Sequence, residues 1–204
     1  MFYHAKLDLL LMVYVDDFKM AGPKANVPVG WELMRRGLRM EDPAPMGLCL
    51  GCLHHESTDT LSGVPVRRVS YDMETFLDIA VKSYESLAAK AGWTQGLKPN
   101  VQTPYFDTKE DPDDPGEPGA LAGCAASILM KVMYAARLCR FDLLKPIASL
   151  ASCITRWTRG CDRLLHRMMS YVKCSSKLRL SGYVGDKPED LELQVFADAD
   201  FAAV

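Results

Sequence analysis

"LLLMVYVDDFKMAG", residues 9–22, places two adjacent carboxylates, Asp16 and Asp17, directly after an apolar run. Residues 7–15 are too short for a well-defined helix and end in β-forming side chains, so they read as a strand buried on both faces. Asp16 and Asp17 then form a turn, Phe18 to Ala21 return as a second strand, and Gly22 and Pro23 stop it. Adjacent like charges repel. Either both carboxylates face water, as Asp in turns commonly does, or a bound group offsets the repulsion. The second option has a definite chemistry. Mg²⁺ takes oxygen ligands, keeps several waters, and is usually held by one or two carboxylates together with substrate phosphates. A rigid strand-turn-strand hairpin is a suitable mount for such ligands.

Beyond the hairpin the chain reads as an α+β mixture of separate helices and strands, without an internal repeat. Residues 29–40 carry Trp31, Met34 and Leu38 at helical spacing, and residues 47–54 read as a strand. The clearest helix spans 72–91, with Ser70 or Asp72 as cap, a stripe from Met73 to Ala91, and Gly92 as its stop. Residues 98–119 hold five prolines and an acidic run, which predicts an extended connector with no core of its own. Three helices are expected next, over about 120–138, 143–158 (Pro146 in its first turn) and 161–173, with Met130, Met133, Met168 and Met169 as packing residues. Strands at 177–181 and 191–197 follow, and the second runs into Asp198 and Asp200.

The chain has 204 residues, 49% of them hydrophobic, which is a globular composition able to bury a core. A net charge of −2 hides a strong asymmetry. Residues 107–117 carry six acids against Lys109, whereas residues 120–179 carry eleven Lys and Arg against Asp142 and Asp162. A basic half of this kind points to a polyanion partner. Seven cysteines, an odd number spread through apolar segments, suit a reducing compartment better than a disulfide framework. No secretory signal is visible and no apolar run approaches the roughly 20 residues that span a bilayer. The expectation is a soluble protein of the cytoplasm or nucleus, with no membrane partner.

"YVDD" between two apolar strands is the signature hairpin of reverse transcriptases, and the segments after it resemble the copia-type retrotransposon polymerase in order. "LRMEDPAPMGLCLGCLHHE" resembles the next block of that family, and "VSYDMETFLDIAVKSYESLA" the helix after its "LSQ" segment. "LKPNVQTPY" is similar to its "KPVSTP"-like connector. "SILMKVMYAARLCRFDLLKPIASLAS" and "RMMSYVKCSSKLRLSGY" are similar to the helices that come later, and "VFADADFAA" to "GYSDADWAG", the first strand of the attached ribonuclease H domain. The resemblance covers nearly the whole chain.

This resemblance implies a division into four parts. Residues 1–97 would be the C-terminal part of the polymerase palm with the start of the thumb, 98–119 a linker, 120–176 a helical connection, and 177–204 the start of a ribonuclease H-like domain. It also implies roles. Asp16 would be the principal metal ligand and Asp17 the weaker one, Tyr14 would lie near the primer end, and Asp198 would match the first carboxylate of ribonuclease H; Asp200 is the second Asp of that string. The cofactor would be Mg²⁺ or Mn²⁺. The partners would be an RNA or DNA template-primer, a nucleotide and the remainder of the polyprotein. The family also needs a catalytic Asp on an earlier strand, fingers and nucleotide-binding residues, all of which would precede Met1, and further ribonuclease H carboxylates, which would follow Val204. The expectation is a middle slice of a polyprotein that is inactive by itself.

Arg156, Arg159, Arg163, Arg167, Lys173, Lys177 and Arg179 fall within 24 residues. The first four are three or four apart, so on a continuous helix they share one face, with Leu164, Leu165, Met168, Met169 and Val172 on the other; Gly160 interrupts the pattern. Such a stripe can follow a phosphate backbone without reading bases, or it can be a solvated face. Arg156, Arg159, Arg163, Arg167 and Lys173 are the candidate contacts. Cys49, Cys52, His54 and His55 form a CxxC beside two histidines, a possible zinc module. All four lie within seven residues, however, whereas structural zinc sites pair two separated clusters. The remaining cysteines, His166 and Tyr171 read as packing or surface residues. Besides the polymerase, then, there are two other expectations: a non-enzymatic remnant that binds nucleic acid through residues 156–179, and a zinc module.

Overall fold

The computed structural model describes residues 1–105, 117–192 and 194–197. It is an α+β structure with two antiparallel sheets and five α-helices among those residues. The first sheet has the order β1 (Phe2–His4), β2 (Leu9–Tyr14), β3 (Asp17–Ala21), so β2 is central. Helix α1 (Val27–Arg35) follows, with Pro28 in its first turn, where a missing N–H costs nothing. It covers one face of the sheet through the close approach of Gly30 to Leu9 and Met20, where any Cβ would collide.

The expectation of a strand buried on both faces does not hold. Along β2 only Leu9 is buried, and Leu10, Val13 and Tyr14 are exposed. A single helix can cover only one face of a three-stranded sheet. The helix placed at 29–40 runs instead from 27 to 35.

The second sheet has the order β4 (Leu48–Cys49), β5 (Cys52–Leu61), β6 (Val64–Asp72), β7 (Leu180–Val184). The predicted strand at 47–54 is thus two strands around a turn at Leu50 and Gly51, both with positive φ, +53° and +73°. Positions of this kind suit the primed turns that match the twist of a hairpin. The second turn, Ser62–Gly63 (φ +51° and +82°), closes the β5–β6 ribbon, which sequence pattern alone had not revealed. Strand β7, expected at 177–181, pairs along β6 from Tyr71↔Leu180 to Arg67↔Val184, so this segment closes the sheet built by residues 48–72. Residues 191–192 and 194–197, expected as part of a strand, have no regular structure.

The main core lies among α2 (Glu74–Lys90), α3 (Ala122–Leu138), α4 (Leu144–Ser152) and α5 (Arg159–Cys174). Leu77, Ala80, Val81 and Tyr84 of α2 face Ala125, Ile128, Leu129 and Val132 of α3 and Leu165, Met168, Met169 and Val172 of α5. Cys52 and Met73 join the second sheet to this core. The helix expected over 143–158 is broken. Two 3-10 turns, Phe141–Leu143 and Ile154–Arg156, flank α4, and Trp157 turns extended at φ −67°, ψ +121°. Met130, expected in the core, is 52% exposed, on the outer side of α3.

The connector is also less independent than its composition implies. Val101 is buried in the core, Arg159 N donates to Glu117 O (3.0 Å), and Pro118 bridges to Thr158. No described helix is long and apolar enough to cross a membrane.

Candidate functional site

The YVDD hairpin closes through a two-residue turn, Val15 and Asp16, between the cross-strand pair Tyr14 and Asp17. Opposed residues share a face of the sheet, so Tyr14 and Asp17 lie side by side on one surface, with Asp16 at the tip. Both carboxylates are exposed, and among the described residues neither side chain has a hydrogen-bond or ion-pair partner. Val15 adopts φ +56°, a conformation that a β-branched side chain rarely accepts. Behind the hairpin, on α3, stands Tyr134, whose hydroxyl donates to Leu50 O at 2.7 Å. Burial pushes the Tyr134 hydroxyl above its ordinary range, and the ionisable groups of Tyr14, Cys49, Asp17 and Cys52 add to the effect. The tip of the YVDD hairpin and the CxxC turn therefore share one neighbourhood.

Asp16 and Asp17 are adjacent, exposed carboxylates, the donor type that hard divalent cations take, and neither forms an ion pair with another described residue. Among the described residues no group of three His, Cys, Asp or Glu side chains could hold a metal ion. Asp198 and Asp200 lie outside the described residues.

The basic stripe is organised by α5. Gly160 sits inside the first turn of this helix and does not break it, so Arg159, Arg163 and Arg167 recur along one outer face, while Arg156 belongs to the preceding 3-10 turn. Thr158 caps the helix, its Oγ1 accepting from Cys161 N. Several of these cations are partly engaged. Arg159 pairs with Glu117 (2.7 Å), Lys173 with Glu85 (2.9 Å), and Arg167 donates to Thr103 Oγ1 (2.9 Å) and Tyr105 O (3.3 Å). Lys177 is exposed, and Arg179 is committed to Asp72 (2.6 Å) and Glu74 (3.1 Å).

The CxxC and its histidines do not converge. His54 is buried, with Nδ1 2.9 Å from Gly47 O, and His55 Nε2 lies 3.3 Å from Asp72 Oδ2. Side chains of neighbouring strand residues point to opposite faces, so the two imidazoles cannot close on one ion with both sulfurs.

Sequence reading passed over three buried polar groups. Asp162 is fully buried and accepts from Ala120 N (2.7 Å), Leu121 N (3.1 Å) and Trp157 Nε1 (2.7 Å), which ties the start of α3 to the start of α5. Arg140, 1% exposed, makes a two-pronged pair with Asp142 and donates to Ser175 O and Oγ, and Tyr171 OH donates to the same carboxylate at 2.8 Å. These bonds hold the Asp142 carboxyl below the usual carboxylate range against the opposing effect of burial, which is the largest single influence on it. His166, expected at the surface or in packing, is buried. Its Nδ1 faces Tyr84 OH (2.9 Å) and accepts from Trp93 Nε1 (3.2 Å), and the Gly96 backbone lies beside the imidazole. The one available signal was scarcity: Asp142 and Asp162 are the only acids of the basic half, and lone acids there are natural structural partners.

Comparison with protein-family models, with curated proteins and with solved structures gives no match.

Proposed function

We propose that the chain is a segment of a copia-type, RNA-directed DNA polymerase, in which Asp16 and Asp17 supply part of a Mg²⁺ or Mn²⁺ site. The observation that carries this reading is the YVDD turn itself: an exposed carboxylate at the tip, Asp16, followed by a second exposed carboxylate, Asp17, at the start of the return strand, with the turn residue Val15 held in a strained conformation. Strain of this kind persists where the surroundings over-determine it, often at functional sites. When bound, the divalent ion would offset charge on phosphate oxygens during nucleotidyl transfer. The protein's own contribution is positioning. Strand pairing sets Asp17 beside Tyr14 and the turn carries Asp16 at the tip, and Tyr14, on the face shared with Asp17, offers a ring for the sugar or base of a primer end. Basic residues on α5 supply sequence-independent attraction for the phosphate backbone.

Mn²⁺ titration followed by paramagnetic broadening of amide signals tests the reading. Broadening should centre on residues 14–18 and disappear in the Asp16→Asn, Asp17→Asn double variant. Broadening elsewhere, or none, removes the proposal. Primer extension on an RNA template, with Mg²⁺ and again with Mn²⁺, belongs beside it. No extension is expected from the chain alone, because two carboxylates leave a two-metal clamp incomplete.

The second reading is a nucleic-acid-binding remnant without catalysis. The outer face of α5, with Arg159, Arg163 and Arg167 one turn apart, favours it. Salt-sensitive retention of a labelled duplex, weakened by the double variant Arg159→Gln, Arg163→Gln but not by changes in the hairpin, would support this reading alone.

A further inference from the structure

We propose that Cys49 and Cys52 form a reversible dithiol–disulfide site, closed across the β4–β5 turn by reaction with a small-molecule disulfide. The two residues are direct cross-strand partners, separated by the two turn residues Leu50 and Gly51. Directly opposed residues of an antiparallel pair have Cα atoms about 4.5–5.5 Å apart, within the about 4.4–6.8 Å that disulfides span. The turn is already pre-set by its positive φ angles and clamped from outside. Tyr134 OH holds Leu50 O, and Gly47 O receives both His54 N (3.0 Å) and His54 Nδ1 (2.9 Å). As the hydrogen-bonded pair that closes the turn, the two residues must draw their Cβ atoms together by about 1 Å to bridge, and a bridge strained in this way is readily reduced.

The two sulfurs differ in access, as a stepwise exchange requires. Cys49 is half-buried, whereas Cys52 is 3% exposed and belongs to the main core. Cys49 therefore reacts first. Its thiolate attacks one sulfur of the small disulfide, forms a mixed disulfide, and expels one thiolate. Cys52 sulfur then attacks the Cys49 sulfur and expels the second. Two protons pass from the cysteines to the two departing thiols, and two electrons pass from the protein to the small disulfide. Burial raises the Cys52 thiol above its ordinary value, which slows the second step without blocking it. The competing partner is Cys139, buried close enough to Cys52 for their thiols to influence each other. Cys139 comes from the end of α3, however, and is not a cross-strand neighbour.

The test uses the full chain incubated with oxidised glutathione, then alkylated and mapped by mass spectrometry. The expected result is joint loss of alkylation at Cys49 and Cys52, a linked peptide carrying no glutathione, and full reversal by dithiothreitol. The Cys139→Ser variant should behave identically. The Cys49→Ser variant, changed at a half-buried position, should leave Cys52 unoxidised in the folded chain. Glutathione retained on Cys49, a Cys52–Cys139 bridge, or unchanged alkylation at both positions would each overturn the proposal.

Discussion

Asp162 shows how much one buried carboxylate can organise. It takes hydrogen bonds from two backbone N–H groups at the start of α3 and from the Trp157 indole. Truncation to Ala leaves these donors buried without partners, at about 1–3 kcal/mol for each unsatisfied group. Asp162→Ala should therefore lower the urea unfolding free energy by about 3 kcal/mol or more, with Asp162→Asn losing less because one acceptor oxygen remains. Gly119 belongs to the same junction, since a Cβ there would meet Thr158 O, Trp157 and the Asp162 carboxylate. His166 makes a pH prediction. Burial is the main cause that draws its imidazole below the ordinary 6.5, with Lys98 adding to it and the nearby Gly96 backbone opposing. The unfolded chain thus binds a proton that the folded chain refuses. Stability should be level above about pH 6.5 and fall as the pH drops from there through the depressed folded value. The His166→Gln variant should lack this component of the acid loss, a difference read from urea titrations at several pH values.

Among the elements, the two hairpins were not equally legible. The YVDD hairpin announces itself because an apolar run, a polar pair and a second β-forming run occur in order. The β5–β6 ribbon does not, because most of its residues from His55 to Pro65 are exposed and the strand carries no apolar alternation. Its one local signal is Ser62–Gly63, a dipeptide suited to a primed turn. The opposite case is Val15, which no turn preference would place at φ +56°. Left-handed backbone costs a non-glycine residue roughly 1–2 kcal/mol. Val15→Asn should relieve about 1 kcal/mol and slow the opening of the first sheet roughly five-fold, as measured by hydrogen exchange at β2 amides. Helix boundaries missed by several residues where tertiary contacts, rather than local pattern, ended the element. The break after α4 is one, enforced as Trp157 turns inward to reach Asp162.

At the scale of the molecule there are two hydrophobic bodies. The large cluster draws on β5, β6, all helices from α2 to α5 and their connections, but on no residue before Cys52. The first sheet and α1 gather instead around Leu9, with much apolar surface left open, including Phe2, Tyr3 and Leu10. A small body with one well-buried hydrophobe has little to hold it closed. Native-state hydrogen exchange should find β2 and β3 opening at markedly lower free energy than α3 and α5, whose most protected amides should report global unfolding. Equal protection in both regions would show that the first sheet is stabilised by the whole molecule.

The chain's own order of residues determined the α+β class, the YVDD hairpin, the long helices α2, α3 and α5, and the concentration of cations near α5. Each of these rests on periodicity or on local turn chemistry, which neighbouring residues encode. Only the tertiary structure decided which polar groups are buried, that β7 returns to β6 across more than a hundred residues, and that the CxxC straddles a turn beside the YVDD tip. Those outcomes depend on contacts between segments far apart in sequence, and no local pattern carries them.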